Sequence, residues 1–208
     1  MHSEMKSTGA RLTGEPDHRG WFYRVIAPDP ERAVLEIGAP FVRNWFSNVV
    51  SDDLGMPPQR LPSGPRFAMV ILHSTLGGCA SIAEALLAAH GALQPGGIAA
   101  LAGVNRLRVP IARGAGATAP TATAWGYCRA AKTAGFAEVS LYAVRPSLDN
   151  PVDVVCLAPA SSRAFFRREA LARKSSGRDR FAPARTLLAA LGLTPYLQPL
   201  FVLIARKC

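Results

Sequence analysis

A few residues that could do chemistry fall where strands are expected to end. His73 closes the apolar run RFAMVILHS, 66–74. An imidazole at such an edge has the proton affinity of a general base near neutral pH. Glu36 and Gly38 close VLEIGAP, 34–40, where the acid could contact a bound cofactor or anchor its own loop. Asp52 and Asp53 end NVVSDD, and Asn105 and Arg106 follow IAALAGV. The guanidinium of Arg106, with the Asn105 amide beside it, could bind an acceptor's carboxylate or phosphate. Trp125 and Tyr127 lead the next helical stretch and could cover a pocket or pack on a sheet. His90, near the end of a helical stretch, suits a dipole-facing structural role.

Other chemistries lack their residues. The four cysteines, Cys79, Cys128, Cys156 and Cys208, form no CxxC pair, and no histidine falls at zinc spacing, so no metal is expected. Widely spaced thiols fit a reducing compartment. There is no GxxxxGK[ST] loop and no carboxylate pair at hydrolase spacing.

These residues need strands and helices to bring them together. The runs 33–37, NVVSDD, RFAMVILHS and IAALAGV read as strands, the third suited to a sheet covered on both faces. CASIAEALLAAHGAL reads as a helix, with Ile82, Leu86, Ala89 and Leu93 at helical spacing and QPGG ending it. FVRNWFSNV suits one or two helical turns, and TAWGYCRAAKTAGF a helix stopped at Gly135. AEVSLYAV alternates as a strand. Residues 105–122 and RPSLDNPVD read as loops, 164–174 and 184–191 as helices, and 200–205 as a last strand. The alternation implies an α/β fold: a mostly parallel, Rossmann-like sheet with helices on both faces. Residues 1–20 form a flexible lead-in and 21–208 one domain, whose segment 161–208 is a basic extension.

The charge is uneven. The chain carries 24 Lys and Arg against 14 Asp and Glu, net +10 over 208 residues, and 161–208 holds ten of the basic residues against Glu169 and Asp179. Such a patch can face solvent, an anionic membrane or nucleic acid. Residues 186–205 are nearly long enough to span a bilayer, but Pro195, Gln198 and Pro199 interrupt them, which favours a helix, a turn and a buried strand. The polar N-terminus has no apolar core of a signal peptide, so a cytoplasmic protein is expected, with membrane-peripheral placement through the basic segment as the alternative.

The order of these signals resembles the class I S-adenosylmethionine-dependent methyltransferases. VLEIG, an acid-ended strand and LPSGPRFAMVILHSTL come first; LQPGGIAALAGVNRL and YCRAAKTAGFAEVSLYAVRP follow. ALLAAHGALQPGGIAAL and the helix ending in AGF are the most specific matches, and the resemblance covers about 33–144 and, more weakly, the last strand. It implies S-adenosylmethionine at the carboxyl edge of the sheet, with Glu36, Gly38, Asp52, Asp53 and Ser74 as cofactor contacts. His73 would lie near the reactive methyl group, with Asn105, Arg106 and Tyr127 toward the acceptor.

The chain also departs from the family. Pro40 and Phe41 replace later glycines of the loop, leaving only Gly38 as bare backbone. Ala68 stands where an acid is common. Fewer than thirty residues separate Gly38 from Phe67, which implies a sheet shortened by one strand–helix unit. VVSDD would then be the third strand, with Asp52 or Asp53 on the adenine side and no ribose-binding acid. The expectation is a methyltransferase-like protein acting on a small molecule or biosynthetic intermediate, alone, as a homodimer or with a protein partner. The alternatives are a non-catalytic relative, a pseudoenzyme serving binding or assembly, and a basic accessory protein that docks to a membrane or nucleic acid.

Overall fold

The apolar runs of three central strands are buried inside a sheet, and a fourth strand, half exposed at Val50, forms its edge. In the computed structural model, which describes residues 20–38, 42–52, 66–73, 81–107, 121–147, 151–175 and 182–208, β1 (Val34–Ile37), β2 (Val49–Asp52), β3 (Phe67–Leu72) and β4 (Leu93–Asn105) lie side by side. β2 pairs with β1, β1 with β3 and β3 with β4, all parallel. A two-residue strand, β5 (Thr121–Ala122), pairs with the end of β4, in a stretch expected to be loop.

The sheet then changes sense. β6 (Glu138–Pro146), β7 (Pro151–Cys156) and β8 (Leu200–Arg206) complete the order β2-β1-β3-β4-β8-β6-β7. β8 runs antiparallel to both β4 and β6, and β7 antiparallel to β6. The sheet is therefore parallel at its start and mixed beyond β4. The last strand of the basic segment lies in the middle of the sheet. β7 falls partly in the expected loop RPSLDNPVD: its proline sits at the first position of an edge strand, where no ladder N–H is needed.

Alternation along the strands sorts the core into two layers. Leu35, Ile37, Val70, Leu72, Ala99, Leu101 and Leu203 face α2 (Ile82–Ala92) and α3 (Ala124–Thr133). Val34, Met69, Ile71, Ala100, Ala102 and Val202 face the other way, onto Phe22 and Tyr23 of α1 (Trp21–Ile26) and onto Val42 and Phe46. α1 has six residues, too few to show a helical period, and sequence reading gave it no element. Within FVRNWFSNV, residues 42–46 form a single turn closed by Trp45 and Phe46 N–H on Val42 O. That turn replaces the helix that usually makes a parallel crossover.

Capping explains where the helices begin and end. Ser81 Oγ accepts from Glu84 N–H at 3.2 Å, as the Ser-x-x-Glu spacing requires, and Thr123 Oγ1 accepts from Gly126 N–H at 3.1 Å. Lys207 Nζ donates to the His90 and Leu93 carbonyls at 2.7 and 2.8 Å, closing α2 from β8's end. QPGG follows the helix directly, with Gly96 at φ +73° as a tight turn requires. It lies within β4 as an irregularity, where the β3 register jumps from Phe67↔Leu93 to Met69↔Ile98. Gly97 allows this, since a Cβ there would lie 2.8 Å from Gln94 O.

α4 (Pro159–Ser175) and α5 (Ala182–Ala190) pack together and bury Phe166, Ala170 and Ala189 against Ala143 and Val155. Arg145 pins α4: it donates to both Glu169 carboxylate oxygens at 2.6 and 2.7 Å and to Asp153 at 2.8 Å. After α5 come a 3-10 turn at Thr194–Leu197 and β8, the helix, turn and strand expected of 186–205. No helix among the described residues is long and apolar enough to cross a membrane.

Candidate functional site

Parallel register gathers the candidate residues at one edge. Ile37 is level with Asp52 on one side and Leu72 on the other. Gly38, Asp52 and His73 therefore share the carboxyl ends of three adjacent strands. Gly38 has φ +104°, a backbone conformation that side-chain-bearing residues rarely adopt. Asp53, Ser74, Pro40 and Phe41 lie outside the described residues.

Glu36 and His73 meet beneath α1. Both point to its side of the sheet, the parity of Val34 and Ile71. His73 Nε2 lies 2.9 Å from Glu36 Oε1, and Val42 N–H donates to the same oxygen at 3.2 Å. Glu36 is fully buried and His73 is 4 % exposed. The acid thus anchors the turn after β1 and holds the imidazole. Nε2 is the ring nitrogen that faces the Glu36 carboxyl group. Tyr23, which sequence reading missed, completes the cluster: its ring centroid is 6.3 Å from that of His73. Burial, then the nearby Glu36 charge, pushes its hydroxyl far above the ordinary phenol range. The aromatic run WFY at 21–23 was the available signal.

The acceptor-side candidates separate. β4 continues past the end of β3, since Leu72 is level with Leu101, so Asn105 lies farther along the sheet than His73. Asn105 is fully buried, and its Nδ2 donates to Tyr196 O at 2.7 Å and Gln198 O at 2.8 Å. Its Oδ1 accepts from Leu107 N–H at 3.0 Å. Both amide hydrogens are spent on the turn that feeds β8. Tyr127 is buried against Gly103, donates to Val104 O at 3.0 Å, and has its hydroxyl pKa pushed up to about 12, chiefly by burial. It packs as core rather than as a cover. Arg106 is exposed just beyond β4. His90 lies against Phe136, ring centroids 5.0 Å apart, in the structural place expected of it. A cavity of about 420 Å³ opens elsewhere, between α1 and the β4, β8 and β6 strands, with Trp21, Ile98, Tyr142 and Ile204 in its walls.

Neither protein-family models nor curated protein sequences match this chain. Solved structures do. A SAM-dependent methyltransferase from Archaeoglobus fulgidus aligns over 90 % of this chain and 92 % of its own, with TM-score 0.51 and 13 % identity. The fold is that of the class I methyltransferases. A SAM-dependent methyltransferase from Thermotoga maritima aligns over 89 % and 86 %, with TM-score 0.50 and 14 % identity. Phosphoethanolamine N-methyltransferase 2 from Haemonchus contortus, in complex with phosphomonomethylethanolamine and S-adenosylhomocysteine, aligns over 89 % of this chain and 51 % of its own, with TM-score 0.50 and 12 % identity.

Within the methyltransferase fold, one strand assignment changes. VVSDD was expected to be the third strand, leaving the ribose-side acid absent. It pairs directly with β1, which is the second strand's place. The short chain between Gly38 and Val49 dispenses with a crossover helix, and among the described residues no strand lies outside β2. Counting residues alone could not distinguish a lost helix from a lost strand.

Proposed function

We propose that this chain binds S-adenosylmethionine at the edge formed by β1, β2 and β3 and transfers its methyl group to a small molecule. One arrangement carries the reading: Gly38, with φ +104°, directly follows Ile37, which is level with Asp52 at the carboxyl end of β2 and accepts from His73 N–H. That arrangement fits the methionine and ribose half of the cofactor. Bare backbone at Gly38 allows close approach, and Asp52, at the second strand's end, stands where the resemblance puts an acceptor for paired hydroxyls. The cofactor would supply an activated methyl group, whose transfer depends more on alignment than on acid–base chemistry. His73, oriented by Glu36, would take a proton from an oxygen or nitrogen acceptor. Arg106 would draw an acceptor's carboxylate or phosphate toward the edge. Glu36 is a positioning residue here, because Val42 and His73 occupy its Oε1 oxygen.

A second reading, a non-catalytic methyltransferase-fold subunit, draws on the burial of the Glu36–His73 pair and the missing crossover helix. Thermal melting separates the two. Cofactor at 100 times its dissociation constant stabilises a binding protein by about 2.7 kcal/mol. For a chain of this size that raises the melting temperature by about 5–10 °C. Gly38→Val and Asp52→Asn should reduce the shift. An unchanged melting temperature at millimolar S-adenosylmethionine overturns the catalytic reading and favours the second.

A further inference from the structure

The C-terminal helices carry a surface that the proposed methyl-transfer site does not use. α5 turns Ala189 into the core and leaves Leu187, and Leu191 one residue past its end where Leu191 N–H still bonds Leu187 O, each 60 % exposed. At i and i+4 they form one stripe, on the side of the helix away from Ala189. Leu193, just beyond the helix, extends the ridge. Of the eleven large apolar side chains exposed among the described residues, five lie between 171 and 196, on α4, α5 and the turn after them, elements that pack together.

One arginine borders the ridge, and two more are exposed on the same helix. Arg163, Arg167 and Arg168 are exposed on α4. Arg163 crosses the end of α5, since a Cβ on Gly192 would lie 3.0 Å from Arg163 Nε. Arg167 follows one helical turn later on the same side. None of the three forms an ion pair with a described acid, and Glu169, the only acid on α4, is engaged by Arg145. An apolar ridge beside uncompensated guanidinium groups matches phosphate headgroups lying over acyl chains. A second copy docked about a two-fold axis would set the arginine row against itself. A nucleic acid would use the arginines but leave the leucine ridge without the stacking aromatics that hold bases.

We propose that the α4–α5 face docks the protein peripherally on an anionic phospholipid bilayer. Leu187 and Leu191 enter the headgroup–acyl boundary while Arg163, Arg167 and Arg168 meet lipid phosphates. The test is co-sedimentation of the full chain with vesicles of phosphatidylcholine alone, or with a third of it replaced by phosphatidylglycerol. The expected result is binding to the anionic vesicles only, weakening with salt. Neutralising the arginines to Ala lowers affinity about fivefold each at low salt, and the triple Lys variant retains it. Leu187→Ser with Leu191→Ser lowers it about tenfold or more. All substituted side chains are exposed, and circular dichroism checks that the variants fold. No binding to anionic vesicles at low salt overturns the proposal, as does binding indifferent to the leucine pair. So does a leucine variant that changes only the oligomeric state in light scattering, which would assign the face to a second copy. S-adenosylmethionine is absent throughout, so the outcome is independent of the cofactor reading.

Discussion

Glu36→Ala should be the most damaging single change at the sheet edge. It removes a fully buried carboxylate and strands two groups at once, the Val42 N–H at 3.2 Å and His73 Nε2 at 2.9 Å. A hydrogen bond to a charged group contributes about 1.5–3 kcal/mol, so losing two costs about 3–6 kcal/mol. For a chain of this size each kcal/mol moves the melting temperature about 2–4 °C, so the expected fall is about 6–24 °C. Glu36→Gln keeps the shape and one acceptor and should cost less. Replacing both residues, Glu36→Leu with His73→Leu, removes donor and acceptor together and should cost less than Glu36→Ala alone. Urea unfolding followed by tryptophan fluorescence measures these proteins together with the single changes Glu36→Leu and His73→Leu. A loss below about 1 kcal/mol for Glu36→Ala, or a double variant as unstable as the two single changes added, would refute the idea that this pair organises the edge.

Two further expectations concern the core behind the site. Gly103→Ala should cost about 1–3 kcal/mol by overpacking, because the new Cβ would overlap the Tyr127 ring and hydroxyl; Tyr127→Phe alone, losing only the bond to Val104 O, should cost about 1 kcal/mol in the same melting assay. His90 is held below its ordinary value of 6.5 by burial first and the Lys207 charge second. The unfolded chain therefore binds the proton more readily, so this stability is present above about pH 6.5 and lost as pH falls through the lowered value. His90→Gln should flatten that slope in melts taken from pH 8 down to pH 5.

Periodicity and apolar runs made much of the sheet legible. FAMVILH (67–73), IAALAGV and most of the last strand are buried runs, and the spacing of Ile82, Leu86, Ala89 and Leu93 marked the helix before the fourth strand. What escaped had short-range or hidden signals. α1 is a six-residue helix held by Phe22 and Tyr23 packing, and β7 hides behind its own proline. QPGG read as a turn, and Gly96 does take a positive φ, but sequence did not show that strand pairing continues on both sides of it. At the site, residue type suggested His73 and Glu36 but not that they bond each other, because pairing across adjacent strands depends on register. Asn105 and Tyr127 have the side chains of ligand-contacting residues, but backbone carbonyls claim them in the fold.

Calorimetric titration of the purified protein with S-adenosylmethionine, and with its demethylated product, tests the proposed activity most directly. A working edge predicts binding of micromolar order for both, abolished by Gly38→Val and weakened about tenfold or more by Asp52→Asn, which removes one charge-assisted hydrogen bond. No heat from either compound at millimolar concentration, with the protein folded, would contradict it.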